Sequence, residues 1–155
     1  MKVFLSYSLN DRDQFILTLL AKELSAKGFS INQSNDFNMQ MSQLTKVNIS
    51  KSNLFIGLIS GKGYEKNRIE NEWGLAYNSN IPSILIIENN VPLNYGFNYP
   101  YIIFDRNNPH QAIAELNKKI DEMKKVANDD SNAWAWVVGG AALLSIISLL
   151  GKDKK

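Results

Sequence analysis

The sequence predicts an α/β fold: a five-stranded parallel sheet with helices on both faces, followed by one apolar C-terminal helix. Three observations carry this expectation. Short apolar runs alternate with longer runs of helical periodicity up to about residue 128. Several of the apolar runs are nearly continuous, as expected of strands covered on both faces. An uncharged stretch of 18 residues, 133–150, then stands apart near the end of the 155-residue chain.

Taken in order, "KVFLS" reads as a first strand and "DRDQFILTLLAKELSAKG" as a helix with Phe15, Leu19, Leu20 and Leu24 near helical spacing, closed by Gly28. "FSINQ" is a weak second strand. "MSQLTKVNISKS" reads as a second helix with Leu44, Val47 and Ser50 inward, and "NLFIGLIS" as a strong third strand. In "YEKNRIENEWGLAYNS" the recurrence of Ile69, Trp73 and Ala76, extended by Tyr77, marks the inward face of a third helix. "SILII" and "YIIF" supply two more strands. Asn108 and Pro109 form a cap and first-turn pair that opens a last helix with Ile113, Leu116, Ile120 and Met123 on one side.

Composition narrows the function. A formal charge of +2 with lysines spread along the chain disfavours a nucleic-acid partner. The absence of cysteine excludes disulfides, thiolate nucleophiles and zinc-thiolate sites, and the single histidine, His110, disfavours multi-histidine metal sites. No metal or resident cofactor is expected. "MKVFLSYS" is too short an apolar run for a cleavable signal and reads as a strand.

In parallel sheets of this kind ligands gather at the carboxyl ends of the strands, near the point where strand order reverses. The loops at that edge are "SYSLND", "SNDFNMQ", "SGKGYEKN" and "ENNVPLNYGFNYP". Ser6, Tyr7 and Ser8 end the first strand, where Tyr7 either stacks on a base or only shapes the turn. Gly63 and Tyr64 lie in the third loop, whose "SGKG" offers backbone N–H groups to a phosphate or is a simple connection. Asp11 belongs to a helix N-terminus. Tyr95, Phe97 and Tyr99 read as anchors of the long fourth loop. His110 is expected to be exposed.

The segment "AWAWVVGGAALLSIISLL", residues 133–150, is apolar on every side and spans about 27 Å as a helix, which suits a membrane span. Trp134 and Trp136 would sit at one interface. The resulting division is a folded domain over 1–127, a linker over 128–132, a transmembrane helix over 133–150 and a basic tail over 151–155. A single-pass, tail-anchored protein with a cytoplasmic domain is expected. Lys152, Lys154 and Lys155 oppose translocation of the tail, while Lys118, Lys119, Lys124 and Lys125 pull the other way. Ala135 with Gly139, and Ala141 with Ser145, form small-residue pairs that would let two such helices approach.

Three stretches together resemble the TIR (Toll/interleukin-1 receptor) domain family of bacterial type, over roughly residues 2–127. "VFLSYSLNDRD" is similar to its first box, "ISKSNLFIGLIS" to the passage from the second helix into the third strand, and "IENEWGLAYNSNIPSILII" to its third helix and fourth strand. The resemblance implies a flavodoxin-like arrangement. It also implies cleavage of NAD at the nicotinamide-ribose bond, by hydrolysis or cyclisation, with Glu72 as the catalytic glutamate and Ser6, Tyr7, Ser8, Gly63 and Tyr64 on the substrate. Self-association and a bacterial immune or cell-death role follow from the same likeness. Arg68 stands where the family carries a tryptophan. The chemistry is sound for one carboxylate: nicotinamide leaves as a neutral base, so no general acid is needed, and the carboxylate stabilises positive charge developing on the ribose. On helical spacing Glu72 lies on the flank of the Ile69, Trp73 and Ala76 stripe, and Glu70, about 200° away, is expected to be solvated. From the residues alone, Glu72 reads first as a surface charge paired with Arg68. The alternatives to an NAD-cleaving enzyme are a non-catalytic signalling or effector module and a deoxyribosyltransferase-like enzyme.

Overall fold

The computed structural model describes residues 1–8, 11–34, 36, 40–61, 65–93, 97 and 99–129. In chain order these form β1 (Lys2–Tyr7), α1 (Gln14–Ala26), β2 (Ser30–Gln33), α2 (Gln43–Ser50), β3 (Leu54–Ile59), α3 (Lys66–Asn78), β4 (Ser83–Glu88), β5 (Tyr101–Phe104) and α4 (Pro109–Asp129), with a 3-10 turn, Asp11–Asp13, leading into α1. All strand pairs are parallel, in the order β2-β1-β3-β4-β5. The order reverses between β1 and β3, which makes their carboxyl ends the crevice of the sheet.

Side-chain alternation divides the core. Val3, Leu5, Leu54, Ile56, Leu58, Ile84, Ile86, Ile102 and Phe104 point to the face covered by α1 and α4. Phe4, Phe55, Ile59, Leu85 and Ile87 point to the face covered by α2 and α3. With both faces covered, β3 is buried along its whole length, which is why its sequence is one unbroken apolar run. The predicted faces of α3 and α4 hold: Ile69 and Ala76 are fully buried, as are Leu116, Ile120 and Met123. Gly28, at φ 88°, takes the left-handed position after α1 that only glycine adopts freely.

Two helices depart from the predicted faces, α1 at Phe15 and Leu19 while Leu20 and Leu24 are buried as expected, and α2 in its phase. In α1 the buried residues are Ile16, Leu20 and Leu24, four apart, whereas Phe15 is 60% exposed and Leu19 half-buried. Phe15 instead meets His110 edge-on at the start of α4, and His110 is exposed as expected. In α2 the inward residues are Thr45 and Ile49, with Leu44 and Ser50 exposed and Val47 half-buried. The cap sets this phase: the Thr45 amide donates to Ser42 Oγ at 3.2 Å, which turns Thr45 inward and Leu44 out. Trp73 is half-buried, and it closes against Tyr77 and Tyr99 with ring centroids 5.5 and 4.7 Å away. Phe97 and Tyr99 anchor the fourth loop as expected, whereas Tyr95 lies outside the described residues. Among the described residues no helix is long and apolar enough to cross a membrane; the segment 133–150 lies outside them.

Gly57 sets how closely α3 approaches the sheet. It pairs with Ser6 in the sheet and lies beneath α3, where an added Cβ would come to 2.9 Å from Leu85 Cδ2 and 3.3 Å from Ile69 Cγ2. Its missing side chain seats Ile69, and the next turn of α3 then carries Glu72 over Ser6. Gly57→Ala is expected to cost about 1–3 kcal/mol of stability through overpacking. Urea unfolding checks this, and an unchanged midpoint would mean that α3 rides up freely.

Candidate active site

Two polar clusters lie on the carboxyl edge of the sheet, on either side of the β1/β3 crevice. The first is built around Glu72, which is fully buried. Its Oε1 accepts from Ser6 Oγ at 3.2 Å and Arg68 Nη1 at 3.2 Å. Its Oε2 accepts from Arg68 Nη1 at 2.8 Å and Ser34 Oγ at 3.2 Å. Ser6 comes from the end of β1, Ser34 from just beyond β2, and Arg68 from the preceding turn of the same helix. Arg68 also donates from Nη2 to the Tyr7 carbonyl and from Nε to Glu65 Oε1 at 3.3 Å. Glu65 is the N-cap of α3 and holds a left-handed backbone, φ 58°, which is uncommon for a side chain of its size. The pairing of Arg68 with Glu72 is thus the one expected from their spacing, but it is buried where the residues alone suggested a surface pair.

Burial pushes the Glu72 carboxyl above its ordinary pKa. Arg68 opposes this by charge and hydrogen bonding, and Ser34 and Ser6 by hydrogen bonding. Asp36 stands close by at 7% exposure. Burial raises it too, but hydrogen bonds from Thr45 and Ser42 and the charge of Arg68 outweigh burial and hold it below the ordinary range.

The other predicted site residues divide. Ser6 meets Glu72 directly. Tyr7 contributes its carbonyl, while its ring packs against the core on the α1 and α4 side and its hydroxyl donates to Gln33 Oε1. The ring is therefore turned away from Glu72, because successive strand residues face opposite ways. Burial raises the Tyr7 hydroxyl pKa against the pull of Arg68. Ser8 is buried, and its Oγ has no partner among the described residues. Gly63 and Tyr64 lie outside the described residues. Glu70 is half-buried and 3.7 Å from Lys66 rather than freely solvated. Ser34 and Asp36 were not singled out from the sequence. Their only signal was a polar loop after a weak strand.

The second cluster was also missed. Asp13, fully buried at the N-cap of α1, accepts from Ser60 Oγ at the end of β3 and from Arg106 Nη2 at 2.8 Å. Glu88, ending β4, accepts from Arg106 Nε at 3.0 Å and from the Gly61 amide at 2.8 Å. This network ties α1, β3, β4 and the β5–α4 turn together on the β3 side of the crevice. A cavity of about 270 Å3 lined by Arg12, Phe15, Ile16, Phe104, Arg106 and Pro109 adjoins it, and Glu72 does not line that cavity. Among the described residues no group of three or more histidine or acidic side chains is placed to hold a metal ion.

No protein-family model matches the chain, and no curated protein sequence matches it significantly. Among solved structures it is similar to the CMP N-glycosidase of Clostridium botulinum at 20% sequence identity, with a TM-score of 0.54 over 74% of this chain and 99% of that chain. At this identity the likeness is one of fold.

Glu88 supplies a pH test of the second cluster. Burial raises its pKa, but the Arg106 hydrogen bond, the Gly61 amide and the charges of Arg106 and Arg12 outweigh burial and lower it below the ordinary 4.5. A carboxyl depressed in the fold adds stability that is fully present above its unfolded pKa and is lost as pH falls through its folded value. Glu88→Gln is expected to flatten the acid limb of a curve of Tm against pH below about 4.5. An unaltered limb would place the acid sensitivity elsewhere.

Proposed function

We propose that this chain cleaves the N-glycosidic bond between ribose and base in a nucleotide, with Glu72 as the carboxylate that meets the reacting ribose and NAD as the substrate. The observation that carries the reading is a fully buried carboxylate at the carboxyl edge of a parallel sheet, beside the point where strand order reverses. In the reaction the C1′–N bond breaks, its electron pair passes to the pyridinium nitrogen, and nicotinamide leaves neutral. Water then adds to C1′ and loses a proton to solvent. In cyclisation a nucleophile of the substrate's own base takes the place of water. Glu72 stabilises the positive charge that builds on the ribose as the bond opens.

Local charge supports a cationic substrate. Two buried acids, Asp36 and Glu72, and the half-buried Glu65 lie around one guanidinium, Arg68, among the described residues. A cluster so rich in acids suits the pyridinium of NAD. The fold shared with a CMP N-glycosidase supports a second reading, cleavage of a pyrimidine nucleoside monophosphate. That reaction needs a proton delivered to the departing base, and Glu72 would have to supply it. The proposal includes the TIR-type resemblance with its bacterial defence role, self-association, and a membrane anchor over 133–150 that holds the domain on the cytoplasmic side and raises its local concentration.

The test incubates concentrated full-length protein in detergent with NAD and, separately, with CMP, and follows nicotinamide and cytosine by chromatography. Nicotinamide release is expected, lowered about 100-fold or more by Glu72→Gln. Cytosine without nicotinamide would select the second reading. Release of neither would leave a non-catalytic module, a reading favoured by the full set of donors already on Glu72.

A further inference from the structure

A buried carboxylate in this position meets two opposing demands. To stabilise a developing cation it must be ionised, yet burial favours its neutral form. The side chains packed around it resolve the conflict in one way only. A carboxylate has about four lone-pair directions, and on Glu72 these meet two hydroxyls and one guanidinium nitrogen that touches both oxygens. The hydroxyls of Ser6 and Ser34, both at 3.2 Å, are neutral donors that rotate freely and can also accept. The charged contact at 2.8 Å belongs to Arg68.

We propose that Arg68 is the positioning residue of this site: its guanidinium, lying across both oxygens of Glu72 and tied to the Tyr7 carbonyl, keeps the carboxylate ionised and aimed at the end of β1. The proposal rests on the reading of Glu72 as the reacting carboxylate.

The geometry around Arg68 makes it more than one half of an ion pair. It lies one helical turn before Glu72, so the pair is preformed by α3. Its Nη2 reaches the carbonyl of Tyr7, where β1 ends, and its Nε reaches Glu65 at the N-cap of α3. One planar side chain thus fixes the carboxylate to the strand end and the start of the helix, a fork that the single ammonium of lysine cannot copy. The charged and titratable groups facing Glu72 and Arg68 among the described residues are Glu65 on α3, Tyr7 at the end of β1 and Asp36 between β2 and α2. Glu65 and Asp36 are acids, and Tyr7 adds no positive charge. Without Arg68, Glu72 would face burial and two neighbouring acids together, and its proton affinity would climb.

The test reads Glu72 itself, independently of turnover. The carboxyl carbon of Glu72 is followed against pH by NMR in the full chain labelled at glutamate, its resonance identified by its loss in Glu72→Gln. The wild-type carboxyl is expected to be ionised at pH 7, and one still protonated there overturns the proposal. In Arg68→Gln the midpoint is expected to rise by about one to three pH units. Arg68→Lys, which keeps the charge, restores most of the difference. Wherever base release is measurable, the acid limb of its rate profile moves with the same midpoint. A purely structural Arg68 would lower stability and rate equally at every pH and leave the midpoint in place. Should Arg68→Gln not fold, the wild-type titration and Arg68→Lys still decide: a lysine midpoint raised by more than glutamine is expected to raise it, that is by over about three pH units, would overturn the role of charge. Should no substrate be cleaved while the midpoint moves as expected, the inference about Arg68 stands and the enzymatic reading falls alone.

Discussion

Burying a parallel sheet on both faces is the constraint from which the rest of this structure follows. Once α1 and α4 cover one face and α2 and α3 the other, every residue of β3 is inside. Backbone groups in the sheet satisfy one another, and little polar chemistry fits between the layers. Polar side chains are therefore displaced to the strand ends. At the carboxyl edge they are Ser6 in β1, Ser8 just beyond it, Ser34 beyond β2, Ser60 beyond β3 and Glu88 at the end of β4. All are nearly inaccessible to solvent, so each needs a partner from another element or from a ligand. Ser8 is the one whose hydroxyl has no partner among the described residues.

The two clusters meet this demand with different charge balance. In the second, Arg106 binds Asp13 and Glu88 together and reaches the Arg12 carbonyl at 2.7 Å, closing a network in which each acid has several donors. It acts as a brace across the top of the sheet. Arg106 is about a third exposed, so solvent screens its pairs and the brace gains more from geometry than from charge. The first cluster sets one arginine against three acids. Both clusters come from the same edge of the same sheet, and among the described residues the first sets three acids around its arginine where the second sets two.

The legible part of the fold was the part dictated by period. Unbroken apolar strands and the Ile113, Leu116, Ile120 and Met123 stripe of α4 map directly onto the core. The first turns of α1 and the phase of α2 were not legible, because each depends on how the helix starts. A 3-10 turn delays α1, and the Ser42 cap rotates α2 so that Thr45, a weaker hydrophobe than Leu44, is the residue buried. The candidate site was half legible. Glu72 and Arg68 stand four apart, and that spacing implies contact; only the tertiary structure, with Gly57 seating α3 low on the sheet, brings the pair under cover. Ser34 and Asp36 gave no pattern to read, since their role comes from where β2 ends relative to α3 rather than from any spacing along the chain.

Stability alone is a poor reason for the Glu72 pair. Taking two charges out of water costs more than their attraction reliably returns, and apolar replacements of similar volume are often neutral or stabilising. Here the cost is compounded, since Glu65 and Asp36 add negative charge that Arg68 must also offset. The apolar alternative was open to α3, whose next inward positions, Ile69 and Ala76, are ordinary core residues. A chain that needed only to fasten α3 to the sheet had Ile69 over Gly57 to do it. An acid kept at this depth, its proton affinity raised by burial and a guanidinium opposing that rise, is the observation on which the proposed role of Glu72 rests. The expense falls at the strand ends, where a parallel sheet offers its ligand crevice, and nowhere else along α3.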